Sequence, residues 1–366
     1  MVLSLFSERA MIKKWLVIGV RVGVGVGLVC GVVDSALAKD GVANVAAVNL
    51  PIRSFSSPTV GIMLPSSPDT YSQYVQVMKG TQYYKIGLFT YATGKIDGVA
   101  VVLSSPPPIG SFSMTAIDTY LMETTFRPKM LIDPGTAGSH LPMLTMGDVV
   151  IGARVVNFSN YMTTAAGKVV PGQFTALVSD KEGYKDGNPN PEYLYSAPRL
   201  VAMAYRAANS VAQFTPSAIL HAKDGRRPWI MEYGTQGSGA AWLRNVDAIR
   251  ASTEVFHEVD EAGNYPIALV SSLTKTPFVE IHTISDAAMN VPTKMDGYFH
   301  RCSVYAQERS NRIVLQMIKE MAHDKAETQG GDIGGYANPY PRGVFKQAVV
   351  APKEVQDWTK KNGVLR

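Results

Sequence analysis

Short apolar runs alternate with stretches of helical periodicity along most of the chain from residue 58 onward. The apolar runs have the length of buried strands, and loops containing Gly and Pro separate them from the amphipathic stretches. Strands are predicted over residues 60–64, 84–91, 98–103, 130–132, 149–158 and 277–286. Helices are predicted over residues 69–78, 114–123, 197–214 and 306–323. This alternation is typical of an α/β domain built on a central sheet.

Two glycine-containing segments are predicted to form turns. Residues 93–95, Thr-Gly-Lys, lie between two strand-like runs and predict the turn of a β-hairpin. Residues 135–138, Gly-Thr-Ala-Gly, follow the apolar run 130–132 and predict a turn at the end of a buried strand.

The N-terminal region has the order of a secretory signal peptide: basic, then apolar, then small residues. Two lysines precede the apolar run 15–33, and residues 35–38, Ser-Ala-Leu-Ala, form an A-x-A-type cleavage site. We therefore predict a signal peptide over residues 1–38 and an exported protein, periplasmic or secreted. The alternative is a membrane anchor, but Arg21 leaves only about a dozen uninterrupted apolar residues, too few for a span.

The rest of the chain divides into three parts. We predict a linker over residues 39–57, an α/β domain over 58–326 and a C-terminal extension over 327–366. The extension begins rich in Gly and Pro and ends in a stretch that can form a short helix. No further apolar run approaches membrane-spanning length, so no stable span is expected after cleavage.

Composition and charge exclude several classes of protein. A hydrophobic fraction of 46% excludes intrinsic disorder, and two cysteines exclude a disulfide scaffold. Residues 1–38 carry four basic and two acidic side chains, so the net charge of +5 becomes +3 without them. No Lys/Arg stripe is interleaved with aromatics, so a nucleic-acid partner is not expected. The six histidines lack ligand spacing, and H-E-x-x-H and C-x-x-C are absent, so no metal or cofactor is expected.

Five segments of the chain resemble motifs of a known family and occur in the same order as in that family. They are G-K-I-D-G-V at 94–99, P-I-G-S at 108–111, the stretch 130–150 with G-T-A-G and G-D-V-V, S-G-A-A-W-L at 238–243, and I-A…T-P-F…I-S-D over 267–286. In these segments the chain resembles the nucleoside phosphorylase/nucleosidase superfamily, in particular the methylthioadenosine/S-adenosylhomocysteine nucleosidases. The resemblance implies a single three-layer α/β/α domain with a central mixed, twisted sheet.

The resemblance also implies cleavage of the N-glycosidic bond of a purine nucleoside. This reaction passes through an oxocarbenium-like state, and the base must leave protonated or hydrogen-bonded. By resemblance the acid is the last residue of I-S-D, Asp286, and Ser285 orients it. A carboxyl shielded from water at a strand end can have its pKa raised enough to donate a proton. The alternative is that Asp286 only caps the following helix.

The substrate-binding residues also follow from the resemblance. Trp242 would stack on the base and the backbone of Leu243 would read its edge, unless Trp242 is an ordinary core residue. Thr136 would offer a hydroxyl near the nucleophile, and Gly135 would permit close backbone approach. The alternative is that their segment only connects two elements.

Two acidic residues are possible ligands for the ribose hydroxyls. In the resembled family, an M-E pair shortly before the I-A segment binds the ribose hydroxyls. Gapless alignment places the expected Glu at Gly263, so a two-residue insertion is needed to use Glu261, and Asp260 is the second possibility. The alternative is an acidic helix N-terminus favoured by the helix dipole.

The nucleophile side departs from the family pattern. The nucleosidases place a Glu soon after the first strand to activate water, and here only Asp69 could substitute. Phosphorylases surround phosphate with arginines; the first loop and the loop 106–113 contain none. Arg154 is the one arginine expected nearby, and the alternative is that it is a surface residue. Hydrolysis is therefore favoured over phosphorolysis, in which phosphate would be a second partner. The rival is a non-catalytic protein that binds a nucleoside or purine. Family members are oligomers, which implies a homo-oligomer here.

Overall fold

The computed structural model describes residues 57–64, 68–105, 111–159, 161–163, 165–166, 169–171, 193–211, 226–240, 242–286, 296–328 and 334–361. All of them belong to one compact unit, Val45–Arg366. The predicted signal peptide, the predicted linker up to residue 56 and most of the P-I-G-S segment lie outside the described residues. No helix in the described part is long and apolar enough to cross a membrane.

Most of the predicted apolar runs form strands, but the predicted strand 84–91 is wrong, because a turn at Gly87 and Leu88 divides it between two strands. The strands are Val60–Ile62 (β1), Lys79–Ile86 (β2), Phe89–Ile96 (β3), Val99–Ser104 (β4), Met130–Ser139 (β5), Val149–Asn157 (β6), Tyr161–Thr163 (β7), Val169–Pro171 (β8), Tyr193–Tyr195 (β9), Ile230–Ser238 (β10), Asp260–Ala262 (β11) and Phe278–Asp286 (β12).

The helices follow the amphipathic stretches. They are Pro68–Val77 (α1), Phe112–Thr125 (α2), Pro198–Val211 (α3), Val246–Phe256 (α4), Tyr265–Thr274 (α5), Asp296–His323 (α6), Val344–Ala348 (α7) and Lys353–Lys361 (α8), with a 3₁₀ turn at Lys325–Thr328. All four predicted helices are present, but α6 begins at Asp296 rather than at residue 306.

Ten of the described strands form one mixed sheet in the order β11-β10-β6-β12-β5-β1-β4-β3-β2, with β9 paired to β6. β12 runs parallel to β5 and antiparallel to β6. β11 pairs in parallel with β10 and in antiparallel with β5, so these five strands close on themselves. The closure brings the C-terminal ends of β5, β10 and β12 together around β11.

Successive side chains of the central strands face two different sets of helices, as the two-residue period of a strand requires. Met130 and Ile132 pack in a cluster with α1, α3 and α6, whereas Leu131 packs in a second cluster with α2 and α5. A strand buried on both faces needs apolar side chains throughout, which explains the unbroken apolar run 130–132. The three-layer α/β/α fold with a mixed sheet is therefore confirmed.

The predicted hairpin turn at residues 93–95 is wrong, because those residues lie inside β3. A Cβ atom at Gly94 would lie 2.6 Å from the sulfur of Met78, so close packing across the strand explains this glycine. The turn that follows is Asp97-Gly98, with φ of 49° and 85°. Both residues are left-handed, as a two-residue hairpin turn between twisted strands requires.

The predicted turn at residues 135–138 is also wrong, because β5 continues through it to Ser139. Thr136 pairs with Thr283 of β12, and Gly138 pairs with β11. Strand partners on both sides thus override the local turn signal of two glycines.

The C-terminal extension is held to the domain by Arg154. The guanidinium of Arg154 lies between the rings of Tyr193 and Phe345, 3.9 and 4.0 Å from their centroids. Arg154 Nε also donates a hydrogen bond of 2.7 Å to Thr235 Oγ1. The expectation that Arg154 lies near a phosphate site is therefore wrong; its charge stacks between aromatic rings. The predicted short helix near the chain end is present as α8.

Candidate functional site

Two adjoining cavities open where β5, β10 and β12 end. The first has a volume of about 290 Å³, and the second of about 430 Å³. The first cavity is lined by Thr136, Ala137, Gly138, Gly239, Ala240, Trp242, Glu261, Ala262, Gly263, Ser285 and Asp286. The second cavity is lined by Ser111, Phe112, Thr115, Asp133, Gly135, Thr136, Gly239, Ala240, Ala262, Gly263, Asn264 and His282. Five residues line both, so a single ligand can reach from one to the other. A cleft of about 480 Å³ beside the C-terminal extension contains none of the predicted site residues.

Asp286 ends β12, a strand that is buried along its whole length. Burial raises the pKa of Asp286, the negative charge of Glu261 raises it further, and the net value is about 6 despite opposing effects of Arg244, Ser285 and His140. Ser285 Oγ lies 3.4 Å from Asp286 Oδ2 and 3.3 Å from the carbonyl oxygen of Ala137, and it can donate its one proton to either. Its orienting role stays a prediction. Asp286 is therefore a carboxyl that exchanges a proton near neutral pH.

Glycine at position 138 makes room for two carboxylates. A Cβ atom there would lie 3.2 Å from Asp286 Oδ1 and 3.3 Å from Glu261 Oε1. Both of these oxygens are buried and have no hydrogen-bond partner among the described residues. Buried polar atoms of this kind are costly unless a ligand or water satisfies them.

A buried histidine, His140, contacts the Glu261 carboxylate. His140 Nε2 lies 3.2 Å from Glu261 Oε2, and His140 Nδ1 lies 3.2 Å from Glu258 Oε1. Burial lowers the pKa of His140, but the hydrogen bonds and charges of Glu258 and Glu261 outweigh it and raise the pKa to about 9. Ser252 Oγ donates a further hydrogen bond of 2.5 Å to Glu258. His140 is therefore a cation at neutral pH, and it holds Glu261 at the wall of the first cavity.

The two residues predicted to bind the base, Trp242 and Leu243, differ in their position relative to the first cavity. Trp242 lines the first cavity and is 49% exposed, so the alternative of a core tryptophan is wrong. The guanidinium of Arg244 lies 4.7 Å from its ring centroid. Leu243 does not line either cavity, and its N–H donates a hydrogen bond of 2.9 Å to Glu261 Oε2. That N–H can donate a hydrogen bond to the edge of a base only if its hydrogen bond to Glu261 is broken.

The structure distinguishes the two acidic residues considered for the ribose. Successive residues of β11 point to opposite sides, so Glu261 reaches the first cavity and Asp260 does not. Asp260 is buried and lies with its Oδ2 3.3 Å from His282 Nδ1. The expectation that Asp260 contacts the substrate is corrected: among the two, only Glu261 is in position.

Sequence reasoning missed a second buried cluster, which lies below the second cavity. His282 lies between Asp260 and Asp133, with Nε2 3.8 Å from Asp133 Oδ2. Asn264 Nδ2 lies 3.0 Å from His282 Nε2 and donates a hydrogen bond to Glu280. Burial lowers the pKa of His282, but the hydrogen bonds and charges of Asp133 and Asp260 raise it to about 10. Burial and the charge of Asp133 raise the pKa of Glu280 well above its usual range.

Thr136 lines both cavities, and Gly135 lines the second. A Cβ atom at Gly135 would lie 2.9 Å from the His282 ring, so the glycine lets this ring pack against the strand. The role of Thr136 as a hydroxyl near the nucleophile stays a prediction. Within the described part of the chain, no group of three or more His, Cys, Asp or Glu residues is arranged to hold a metal ion.

Comparisons with known proteins place this geometry in context. The chain is 28% identical to a 5′-methylthioadenosine/S-adenosylhomocysteine nucleosidase of Marinomonas sp. over 234 residues, 63% of this chain and 85% of the relative. It is 25% identical to the nucleosidase of that name from Bacillus subtilis over 236 residues, 63% of this chain and 86% of the relative. These relatives support the prediction of a glycosidic hydrolase.

Solved structures share the fold. The adenine complex of the methylthioadenosine/S-adenosylhomocysteine nucleosidase from Colwellia psychrerythraea aligns with a TM-score of 0.57 and 18% identity, covering 76% of this chain and 99% of that one. The Neisseria meningitidis nucleosidase in complex with methylthio-immucillin-A aligns with a TM-score of 0.53 and 21% identity, covering 72% and 99%.

A family model described as the phosphorylase superfamily matches residues 59–319. The match covers more than two thirds of the chain and includes both cavities. The resemblance inferred from five short segments is thereby confirmed, and the chain belongs to the phosphorylase superfamily.

Proposed function

We propose that the protein is a nucleosidase that hydrolyses the N-glycosidic bond of a purine nucleoside of the methylthioadenosine/S-adenosylhomocysteine type. The observation that carries this proposal is Asp286, a buried carboxyl that lines the first cavity, has its pKa raised to about 6 and has one oxygen without a partner among the described residues. A carboxyl in this state can give its proton to N7 of the leaving base and weaken the glycosidic bond.

The other lining residues suit the two halves of such a substrate. The half-exposed ring of Trp242 offers an aromatic face for stacking on a purine. Glu261 presents a carboxylate oxygen, Oε1, that has no partner among the described residues and can accept hydrogen bonds from ribose hydroxyls. The distance from Asp286 to Glu261 is short enough for their charges to interact, so base and sugar contacts lie side by side.

The nature of the lining also favours water over phosphate as the nucleophile. Three carboxyl groups, Asp133, Glu261 and Asp286, line the two cavities. An anion entering beside them would meet repulsion, whereas water and the cationic transition state of glycosidic cleavage would not.

Release of free base from defined nucleosides tests the proposal. The protein is incubated with methylthioadenosine, S-adenosylhomocysteine, adenosine and inosine, with and without phosphate. We expect adenine release without phosphate and loss of that release in Asp286→Asn. Release that requires phosphate would identify a phosphorylase, and binding of adenine without turnover of any nucleoside would identify a binding protein. Activity that survives Asp286→Asn unchanged would refute the role of Asp286.

We further propose that residues 1–38 direct export and that the mature chain forms a homo-oligomer. The basic, apolar and small segments of the N-terminus support the first point, and the oligomeric habit of the resembled family supports the second. N-terminal sequencing of the exported protein should begin at Lys39. Light scattering of the same material should give a multiple of the mass of the mature chain.

A further inference from the structure

We propose that Asp133 is the base that takes a proton from the attacking water, in the place of the acid that the first loop lacks. The inference rests on the proposed hydrolysis. It starts from the side chain itself, which is 2% exposed and lines the second cavity. Its Oδ1 is buried without a hydrogen-bond partner in the described part of the chain. A water held in the second cavity would satisfy this oxygen.

His282 borders Asp133. Its Nε2 lies 3.8 Å from Asp133 Oδ2 and 3.0 Å from Asn264 Nδ2, and its Nδ1 lies 3.3 Å from Asp260 Oδ2. These contacts hold the Asp133 side chain at the wall of the second cavity and leave its Oδ1 as the atom that can accept a proton from water.

Each of the two cavities therefore holds a carboxyl group suited to one part of the reaction. Asp286 has its pKa raised to about 6, so a fraction of the molecules carries its proton near neutral pH, and Asp133 lies beside His282 with one oxygen free. Two carboxyl groups beside one substrate, one acting as acid and one as base, are typical of glycosidic cleavage. Thr136 and Gly263, which line both cavities, mark where a substrate would lie between them.

The step balances as a hydrolysis. The water oxygen forms a bond to C1′ of the ribose, and its proton passes to Asp133. The C1′–N9 bond breaks, its electron pair stays on the purine, and Asp286 supplies the proton that the base carries away at N7. The products are the free purine and a sugar with a hydroxyl at C1′. Proton exchange with solvent returns both carboxyl groups to their starting states.

Asp133→Asn and Asp133→Ala test the assignment. We expect kcat for nucleoside hydrolysis to fall about 100- to 10,000-fold in both variants. Adenine binding, followed through Trp242 fluorescence, should stay within about threefold of wild type, because Trp242 lines the first cavity and not the second. Asp97→Asn, on the exposed hairpin turn, is the matched control and should keep full activity.

Azide separates a chemical role of Asp133 from a structural one. In Asp133→Ala a small anion can occupy the vacated volume and attack C1′ without needing a base, so azide should restore base release and yield a ribosyl azide. A kcat within threefold of wild type for Asp133→Asn would overturn the assignment. Loss of adenine binding together with kcat, and no restoration by azide, would overturn it as well. A loss of kcat in Asp69→Asn with an active Asp133→Asn would place the base in the first loop. A wild-type protein that hydrolyses no nucleoside would instead refute the proposed function itself.

Discussion

The two buried histidines, His140 and His282, have similar neighbours but contact residues of different cavities. Each lies between a carboxylate behind it, Glu258 or Asp260, and a carboxylate in front of it that lines a cavity. The front carboxylates differ. Each has one oxygen without a partner among the described residues, Glu261 Oε1 and Asp133 Oδ1. The other oxygen of Glu261 lies 3.2 Å from the His140 ring and accepts the Leu243 N–H, whereas that of Asp133 lies 3.8 Å from the His282 ring.

This difference suits Glu261 to positioning a ligand and Asp133 to accepting a proton. A carboxylate held by several donors is a good hydrogen-bond acceptor but a poor base, because each donor stabilises its charged form. Asp133 lies farther from its histidine, and its free Oδ1 can accept a proton from water. The same arrangement of residues thus positions a ligand contact in one cavity and provides a base in the other.

The largest expected effect is at Asp286, which lies beside the His140 cluster. Asp286→Asn should lower kcat about 100- to 10,000-fold, because the amide cannot donate the proton that the base needs. The same change should stabilise the fold by about 1–3 kcal/mol at pH 7.5, since a buried carboxylate is replaced by a neutral group. Base release and thermal unfolding measure the two effects.

The pH dependence provides the control for this prediction. The folded-state pKa of Asp286 is raised from 3.8 to about 6, so its stabilising contribution is present below about pH 3.8 and is lost as the pH rises through 6. The gain in stability of Asp286→Asn should therefore disappear at pH 3.5. Asp97→Asn, which replaces an exposed carboxylate in the same way, should change neither activity nor stability. A destabilised Asp286→Asn at pH 7.5 would mean that the carboxylate is well solvated.

Much of the fold could be predicted from the sequence, because burial on both faces imposes a pattern on the strands. The apolar run 130–132 predicted β5, and helical periodicity predicted α3. The two wrong turns, at 93–95 and 135–138, share a physical cause: glycines placed for close packing resemble glycines placed for a turn. Only the partner strands and the sulfur of Met78 distinguish the two cases.

Less of the site could be predicted, because its charge balance depends on residues far apart in the chain. Asp286, Glu261 and Trp242 were found through the family resemblance and line one cavity. His140 was missed, since Glu258 and Glu261 meet it only in the folded chain. One signal was available for His282: Glu280 and His282 alternate with apolar residues within an otherwise apolar strand, so they share one face.

His140→Gln should break the first cluster. The change leaves Glu258 and Glu261 buried without a compensating cation, which we expect to lower the free energy of unfolding by about 3–5 kcal/mol at pH 7. His323→Gln, at the exposed end of α6, is the control and should have no effect. A loss below about 1 kcal/mol for His140→Gln would show that the cluster is not charged and that the two histidines do not share one design.

The alkaline limb of stability should distinguish the two histidines. His140 has a folded-state pKa raised from 6.5 to about 9, and His282 one raised to about 10. Each contributes stability that is fully present below about pH 6.5 and is lost as the pH rises through its folded value. Both contributions decline between pH 6.5 and 9, so His140→Gln should about halve the slope of the decline there and leave the part between pH 9 and 10 unchanged. Denaturant unfolding at a series of pH values measures both, and an unchanged decline would contradict the charge assigned to His140.

The smallest expected effect comes from Arg244, whose positive charge lowers the pKa of Asp286 from outside the cluster. Arg244→Gln should raise that pKa and move the alkaline limb of kcat/KM upward by about 0.3 pH unit, which doubles activity on the limb. The shift should shrink at high salt, because the side chain is exposed and its field is screened. Arg250→Gln, an exposed arginine on α4, should leave the limb in place. A limb that moves downward in Arg244→Gln would mean that this arginine acts through its contact with the Trp242 ring rather than through its charge on Asp286.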